Sequence, residues 1–216
     1  MNIKGAKIAI IGGAGFGREV ADIALELGYE DIVYLSTDPT EEKVMGFPLF
    51  EDNHEVVQNL QENNYGFVIG IGDTKTRKMV VEKYPELNYP NIIHPSVTFG
   101  YKQRAQLENT KGNIMAAGCR FTNNISFGDF GVFNLNSTVG HDCIIEDYVS
   151  LMANVVVSGN VKIETGVYIG SGAVIIQGND AKKNLIEAYA FIGMGSVVLG
   201  RVKANVKVFG NPAVKI

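Results

Sequence analysis

Residues 113 to 178 read NIMAAG, CRFTNN, ISFGDF, GVFNLN, STVGHD, CIIEDY, VSLMAN, VVVSGN, VKIETG, VYIGSG, AVIIQG, and this stretch decides the fold. Cut into sixes, its third position carries Met115, Phe121, Phe127, Phe133, Val139, Ile145, Leu151, Val157, Ile163, Ile169 and Ile175, every one large and apolar. The first position is mostly small or β-branched, from Cys119, Ile125, Gly131, Ser137 and Cys143 to Val149, Val155, Val161, Val167 and Ala173. A sustained period of six is a repeat architecture and outranks local propensity. Each six supplies a short strand and a turn. Three sixes close a triangular coil of about 18 residues. Coils stacked about 4.8 Å apart bury the third-position side chains in one column. Glycine and asparagine at the corners tolerate the turns. Cys119 and Cys143, at first positions, read as small buried residues.

Downstream, QGNDAKKNL (177 to 185) interrupts the frame with five extra residues, and the period returns at Ile186, Ile192 and Val198. This polar segment, with two lysines, reads as a loop leaving the prism. The chain then closes through a Gly-Asn-Pro turn in VKVFGNPAVKI.

Upstream of the prolines Pro85, Pro90 and Pro95 the pattern is different. KIAIIGG (7 to 13), IVYLST (32 to 37) and FVIGIGD (67 to 73) read as strands. GREVADIALELG (17 to 28), HEVVQNLQENNY (54 to 65) and TKTRKMVVEKY (74 to 84) read as helices, the last with Thr74 as N-cap. Strands alternating with helices predict a parallel sheet. The chain therefore divides near residue 90, into an α/β domain over 1–90 and an all-β prism over 91–216. The first strand-to-helix turn is GGAGFG, residues 12 to 17. Glycines there let a phosphate approach the backbone, and a helix N-terminus favours its charge. The match to the dinucleotide fingerprint is loose, no acid ends the second strand, and the domain is too short for two nucleotide-binding halves. A mononucleotide, as in a nucleotide-sugar, fits the size better. Gly13, Ala14, Gly15, Phe16 and Gly17 of the turn, Ser36 and Thr37 after the second strand, and Gly72, Asp73 and Arg77 after the third are the candidate substrate-binding residues.

The formal net charge of −4 argues against a nucleic-acid partner. No apolar run approaches the roughly 20 residues of a membrane span, and the N-terminus lacks the pattern of a secretory signal. Two cysteines make no disulfide framework, so the expected address is the cytoplasm.

The chain resembles the hexapeptide-repeat acyltransferases, and within them the sugar O- and N-acetyltransferases with a small Rossmann-like N-terminal domain. These include the bacterial UDP-4-amino-sugar N-acetyltransferases and the sialic acid O-acetyltransferases. The resemblance rests on GGAGFG, IGIGDTKTRK, the sixes, FNLNSTVGHDC, SGNVKI and GNPAVKI. It implies a Rossmann-like nucleotide-sugar-binding domain followed by a left-handed parallel β-helix. It also implies a homotrimer with acetyl-CoA as donor in grooves between neighbouring helices, and no metal.

His141 and Asp142 occupy the fifth and sixth positions of their six, at a corner pointing out of the column. A neutral imidazole there can act as general base, and an adjacent carboxylate can hold its other nitrogen. The resemblance makes His141 and Asp142 the catalytic pair and Asn134 their assistant. It gives the Gly159 amide to the thioester carbonyl. Gly193, Gly195 and Ser196 are further CoA candidates, with Ser150 where some members carry a second histidine. Ala14-Gly15-Phe16 stands where members often carry Ser-Gly-His, and Ser36-Thr37 where some carry two acids. His94 reads as a structural residue at the domain junction. The expected activity is acetyl transfer to a nucleotide-linked amino sugar. The alternatives are O-acetylation of a sialic-acid-like acceptor, a non-catalytic nucleotide-sugar-binding scaffold, a metalloenzyme of the β-helical carbonic anhydrase type, and NAD-dependent redox chemistry.

Overall fold

The structure, a computed structural model, describes residues 5–216. Its first part contains β1 (Lys7–Ile11), α1 (Gly15–Leu27), β2 (Asp31–Ser36), β3 (Lys43–Val44), β4 (Phe47–Glu51), α2 (His54–Glu62), β5 (Gly66–Ile69) and α3 (Thr74–Lys83). The sheet order is β3-β4-β2-β1-β5. All pairs are parallel except the β3–β4 hairpin, which the alternation of strands and helices did not forecast. The order reverses at β1, so a crevice opens beyond the carboxyl ends of β1 and β5. α1 buries Val20, Ala21, Ile23 and Ala24 and stops at Gly28, whose φ of 92° is the left-handed conformation glycine accepts without strain. α3 is capped by Asp73 rather than Thr74: the Asp73 carboxylate accepts from the Thr76 amide at 2.8 Å, and the Thr74 side chain is buried.

From Ile92 onward the chain winds a parallel β-helix with three faces, built of eight, six and four strands. Strands one coil apart pair in parallel, as Val132 with Ser150, Thr138 with Val156 and Ser126 with Ile144, while the last strand, Val214–Lys215, turns back antiparallel on Lys207–Phe209. First- and third-position side chains fill one continuous core. The rings of Phe121, Phe127 and Phe133 meet edge-on inside it, Phe121 lying 5.2 Å from each of the other two. The sixth residue of the first ten hexapeptides turns the corner with positive φ, among them Asn124, Phe130, Asn136, Asp142, Tyr148 and Asn160. In the lowest coil a 3₁₀ turn, Gln103–Asn109, replaces one strand. The Gln103 side chain replaces the missing ladder bonds, donating to Ile125 O at 2.6 Å and accepting from Ile125 N at 2.9 Å.

The α/β layer sits on the outer side of the eight-stranded face. Outward-pointing Ile92, Ile114 and Val132 share an apolar cluster with Val20, Ile23 and Ala24 of α1. His94 joins this seam, its Nε2 lying 2.9 Å from the Glu26 carboxylate.

Candidate active site

The crevice at the end of β1 is a cavity of about 710 Å³. That volume lies within the usual range for a small-molecule site. Three glycines bring strand, turn and helix together behind it. Gly12 has φ 109°, a Cβ on Gly17 would come 1.9 Å from Gly12 O, and a Cβ on Gly70 would come 2.7 Å from the Gly17 Cα. Strand, turn and helix therefore approach more closely than side chains allow. α1 starts beside the cavity with no side-chain cap on its first amides.

Gly13, Ala14, Phe16, Ser36 and Gly72 line this cavity, whereas Gly15, Gly17 and Thr37 do not. Asp73 faces a second hollow of about 510 Å³ on the other side of Gly72, floored by Met152, Tyr168 and Phe191. Arg77 departs from expectation altogether. It is 1% exposed and spends its donors on carbonyls of the domain seam, so it cannot reach a ligand in the crevice. Residues not anticipated also line the cavity: Asp38, Glu41 and Lys43, brought in by the loop and hairpin after β2, and Arg18 of α1. Asp38 and Glu41 thus place two carboxylates in the cavity just beyond Ser36-Thr37, where some members of the resembled family carry two acids.

At the β-helix corner after the strand Thr138–Val139, His141 Nδ1 lies 2.6 Å from Asp142 Oδ2. Asp142 can turn back onto its neighbour because its φ is 59°, a left-handed conformation that aspartate tolerates better than most residues. Asn124, one coil below, donates from Nδ2 to Asp142 Oδ1 at 2.6 Å. The Asn124 and His141 bonds hold the Asp142 carboxyl below its ordinary range. Lys183, from the interruption after residue 177, donates its ammonium to the Asp142 carbonyl. The imidazole is 58% exposed, open to an incoming group. One coil above, Gly159 lies against the ring: a Cβ there would come 2.6 Å from His141 Nε2. The Gly159 carbonyl accepts from Gly178 N at 3.0 Å, while no acceptor among the described residues meets its N–H.

Asn134 follows the strand Val132–Phe133 and so lies at the preceding corner, not beside His141; its Oδ1 accepts from the Leu135 amide at 2.6 Å. The Ser150 side chain is fully buried against Arg77 and Gly72, and cannot touch a cofactor. Ser196 is also fully buried, accepting from Gly210 N, and Gly193 lies beneath the Phe209 ring. Of these CoA candidates only Gly195 is open at the surface. Asn124 and Lys183 were not anticipated. The period of 18 from Asp142 back to Asn124 could have found the first; only the fold finds the second.

Residues 7–84 match the PglD N-terminal domain family, and residues 136–177 match the bacterial transferase hexapeptide family of six repeats. The GDP-perosamine N-acetyltransferase of Escherichia coli O157:H7 is 31% identical over 224 residues, covering 99% of this chain and 96% of that one. The acetyltransferase domain of PglB from Neisseria gonorrhoeae FA1090 superimposes with a TM-score of 0.85 at 25% identity, over 97% of this chain and 99% of that one. PerB from Caulobacter crescentus, solved with CoA and GDP-perosamine, has the same fold, with a TM-score of 0.83 at 24% identity over 98% and 97% of the two chains. The β-helix is accordingly of the left-handed hexapeptide type. Among the described residues no helix is long and apolar enough to cross a membrane.

Proposed function

The chain belongs to the hexapeptide-repeat nucleotide-sugar N-acetyltransferases, and from that premise we propose that it transfers acetyl from acetyl-CoA to the amine of a nucleoside-diphosphate-linked amino sugar. One observation carries the reading: the Asn124–Asp142–His141 chain ends in an open imidazole packed against Gly159, whose N–H meets no acceptor among the described residues. That pairs a base with an oxyanion donor, the two groups direct acyl transfer requires.

The neutral amine of the sugar attacks the thioester carbonyl and His141 Nε2 takes its proton. Asp142 keeps Nδ1 protonated and stabilises the imidazolium that forms. The Gly159 N–H donates to the developing oxyanion. Collapse breaks the carbon–sulfur bond, and the imidazolium returns the proton to the departing CoA sulfur. No covalent enzyme intermediate is needed. The nucleotide occupies the cavity at the β1–α1 turn. Arg18 and Lys43 supply its positive charge, and Asp38 and Glu41 can accept hydrogen bonds from ribose or base. A GDP carrier is the first to test, because the 31%-identical relative acts on GDP-perosamine.

The working form is a homotrimer. Val156 and Val174 are exposed on the outer side of the six-stranded face, with Leu135 and Met194 exposed at the corner before it and Ile176 and Leu199 at the corner after it. Such a stripe fits burial against copies of itself. Closing that face about a threefold axis would bring the His141 corner of one subunit to the Asn134 corner of the next. Its proposed address is the cytoplasm.

The test incubates the protein with acetyl-CoA and GDP-, UDP- and dTDP-linked 4-amino sugars, following thiol release, with His141→Ala alongside. Release with one sugar, abolished by the substitution, is the expected result. CoA binding without release would move the acceptor to a hydroxyl, and no CoA binding would end the transferase reading.

A further inference from the structure

Arg77 is the largest fully buried side chain in the molecule described, and no carboxylate bonds to it. A guanidinium carries five N–H donors. Here each has an acceptor: Nε donates to Phe130 O at 3.1 Å, Nη1 to Ile71 O at 3.0 Å and Gly72 O at 2.9 Å, and Nη2 to Tyr148 O at 2.9 Å and Ser150 Oγ at 2.9 Å. Ser150 Oγ in turn donates to Gly72 O at 3.1 Å. Burial pulls the guanidinium down to about 10, which leaves it charged at neutral pH.

Burying a lone cation is costly even when every donor is satisfied. Adhesion between the two domains does not require it, since Ile92, Ile114 and Val132 already pack on α1. What Arg77 and Ser150 add is specific to Ile71 and Gly72. Both residues line the nucleotide cavity, and a Cβ on Gly72 would meet open space. The other end of the network grips Phe130 and Tyr148, residues of the β-helix corner with φ of 57° and 58°. The network thus joins the crevice wall to the β-helix through backbone carbonyls and the Ser150 hydroxyl.

We propose that Arg77, seconded by Ser150, is a positioning residue: it fixes the Ile71–Gly72 wall of the crevice to the β-helix and so sets where the nucleotide-sugar is held. This deepens the proposed function and rests on its assignment of the nucleotide cavity. Lysine has three donors on a point charge and cannot reproduce the fork.

The experiment titrates the intact protein, and its Arg77→Lys, Arg77→Met and Ser150→Ala variants, with GDP, with UDP and separately with CoA. It also records KM for each substrate, kcat and the thermal midpoint. Losing a bond to a charged group should weaken nucleotide binding roughly tenfold in Ser150→Ala and more in Arg77→Met, with Arg77→Lys between them. Nucleotide-sugar KM should rise in step, while CoA affinity stays within about twofold. Unchanged nucleotide affinity in Ser150→Ala and Arg77→Lys overturns the proposal. So does an equal loss of CoA affinity that follows the thermal midpoint, since that is general loosening. A wild-type protein that binds nucleotide but transfers no acetyl group refutes the reaction and leaves this network testable by binding alone. A wild-type protein that binds neither nucleotide overturns the network's role.

Discussion

The backbone of Gly159 and the imidazole of His141 touch across one coil, so closely that a methyl group on Gly159 would come 2.6 Å from Nε2, 2.7 Å from Cε1 and 3.0 Å from Cδ2. No side chain fits there while the ring keeps its position. Gly159→Ala should therefore displace the imidazole and separate base from amide. We expect kcat to fall by about 10²-fold or more, the usual contribution of a positioned general base. Because the ring can swing into solvent, the thermal midpoint should stay close to wild type. A variant with undiminished kcat would remove the Gly159–His141 pairing from the mechanism.

Asn124 acts on the base through Asp142. Its bond is the first cause of the lowered Asp142 carboxyl, followed by the bond to His141. A group depressed in the fold contributes above its unfolded value and loses that contribution as pH falls through the folded one. Asp142 should thus stay ionised throughout the neutral range and orient His141 there. In Asn124→Ala the carboxyl rises toward its ordinary range. The acid limb of kcat/KM should lose activity at higher pH than in wild type, with little change at pH 8. Superimposable pH profiles for the two proteins would count against the chain.

The prism core should respond to lost volume more strongly than the site does. Phe121 is buried among Phe99, Phe127 and Phe133. Phe121→Ala should cost about 3–5 kcal/mol. Chemical denaturation of the isolated variant would measure it, and a loss under about 1 kcal/mol would mean that neighbouring coils collapse into the space.

Burial raises the thiols of Cys119 and Cys143, and both are free. The thiolate is the reactive form. Native protein should accordingly react slowly with a disulfide reagent at pH 7.5, and denatured protein should release both equivalents at once. Rapid native labelling would show that the coils open. The same property gives a thiol-release assay a low background.

The period of six made the prism readable, since its apolar positions point into one column wherever the frame holds. Its frame also set His141 at an exposed corner and Gly159 one coil away. The hairpin β3–β4 was not readable: its strands of two and five residues are mostly exposed and include Pro48, so neither periodicity nor propensity marks them. Asp38, Glu41 and Lys43 were missed with it. Arg77 was misjudged for another reason. Its partners are mainly backbone carbonyls, at Phe130 and Tyr148 53 and 71 residues away, and a carbonyl has no sequence signature. Asn134 stands apart for a third reason, because it lies at a different corner of the coil from His141.

A triangular prism has three interchangeable edges, and nothing in a repeating apolar core tells a neighbouring domain which to choose. The left-handed corner residues break that degeneracy. One edge carries Asn124, Asp142 and Asn160, another Gly118, Asn136 and Asn154, and the third Phe130, Tyr148 and Tyr189. The rings of Phe130 and Tyr148 stack 5.3 Å apart on this third edge and join the apolar cluster of Tyr84 and Tyr89. The aromatic edge works as an address label. It marks the angular seat of the α/β domain and, through the fixed sweep of the coil, how far round the prism that domain lies from the edge bearing His141.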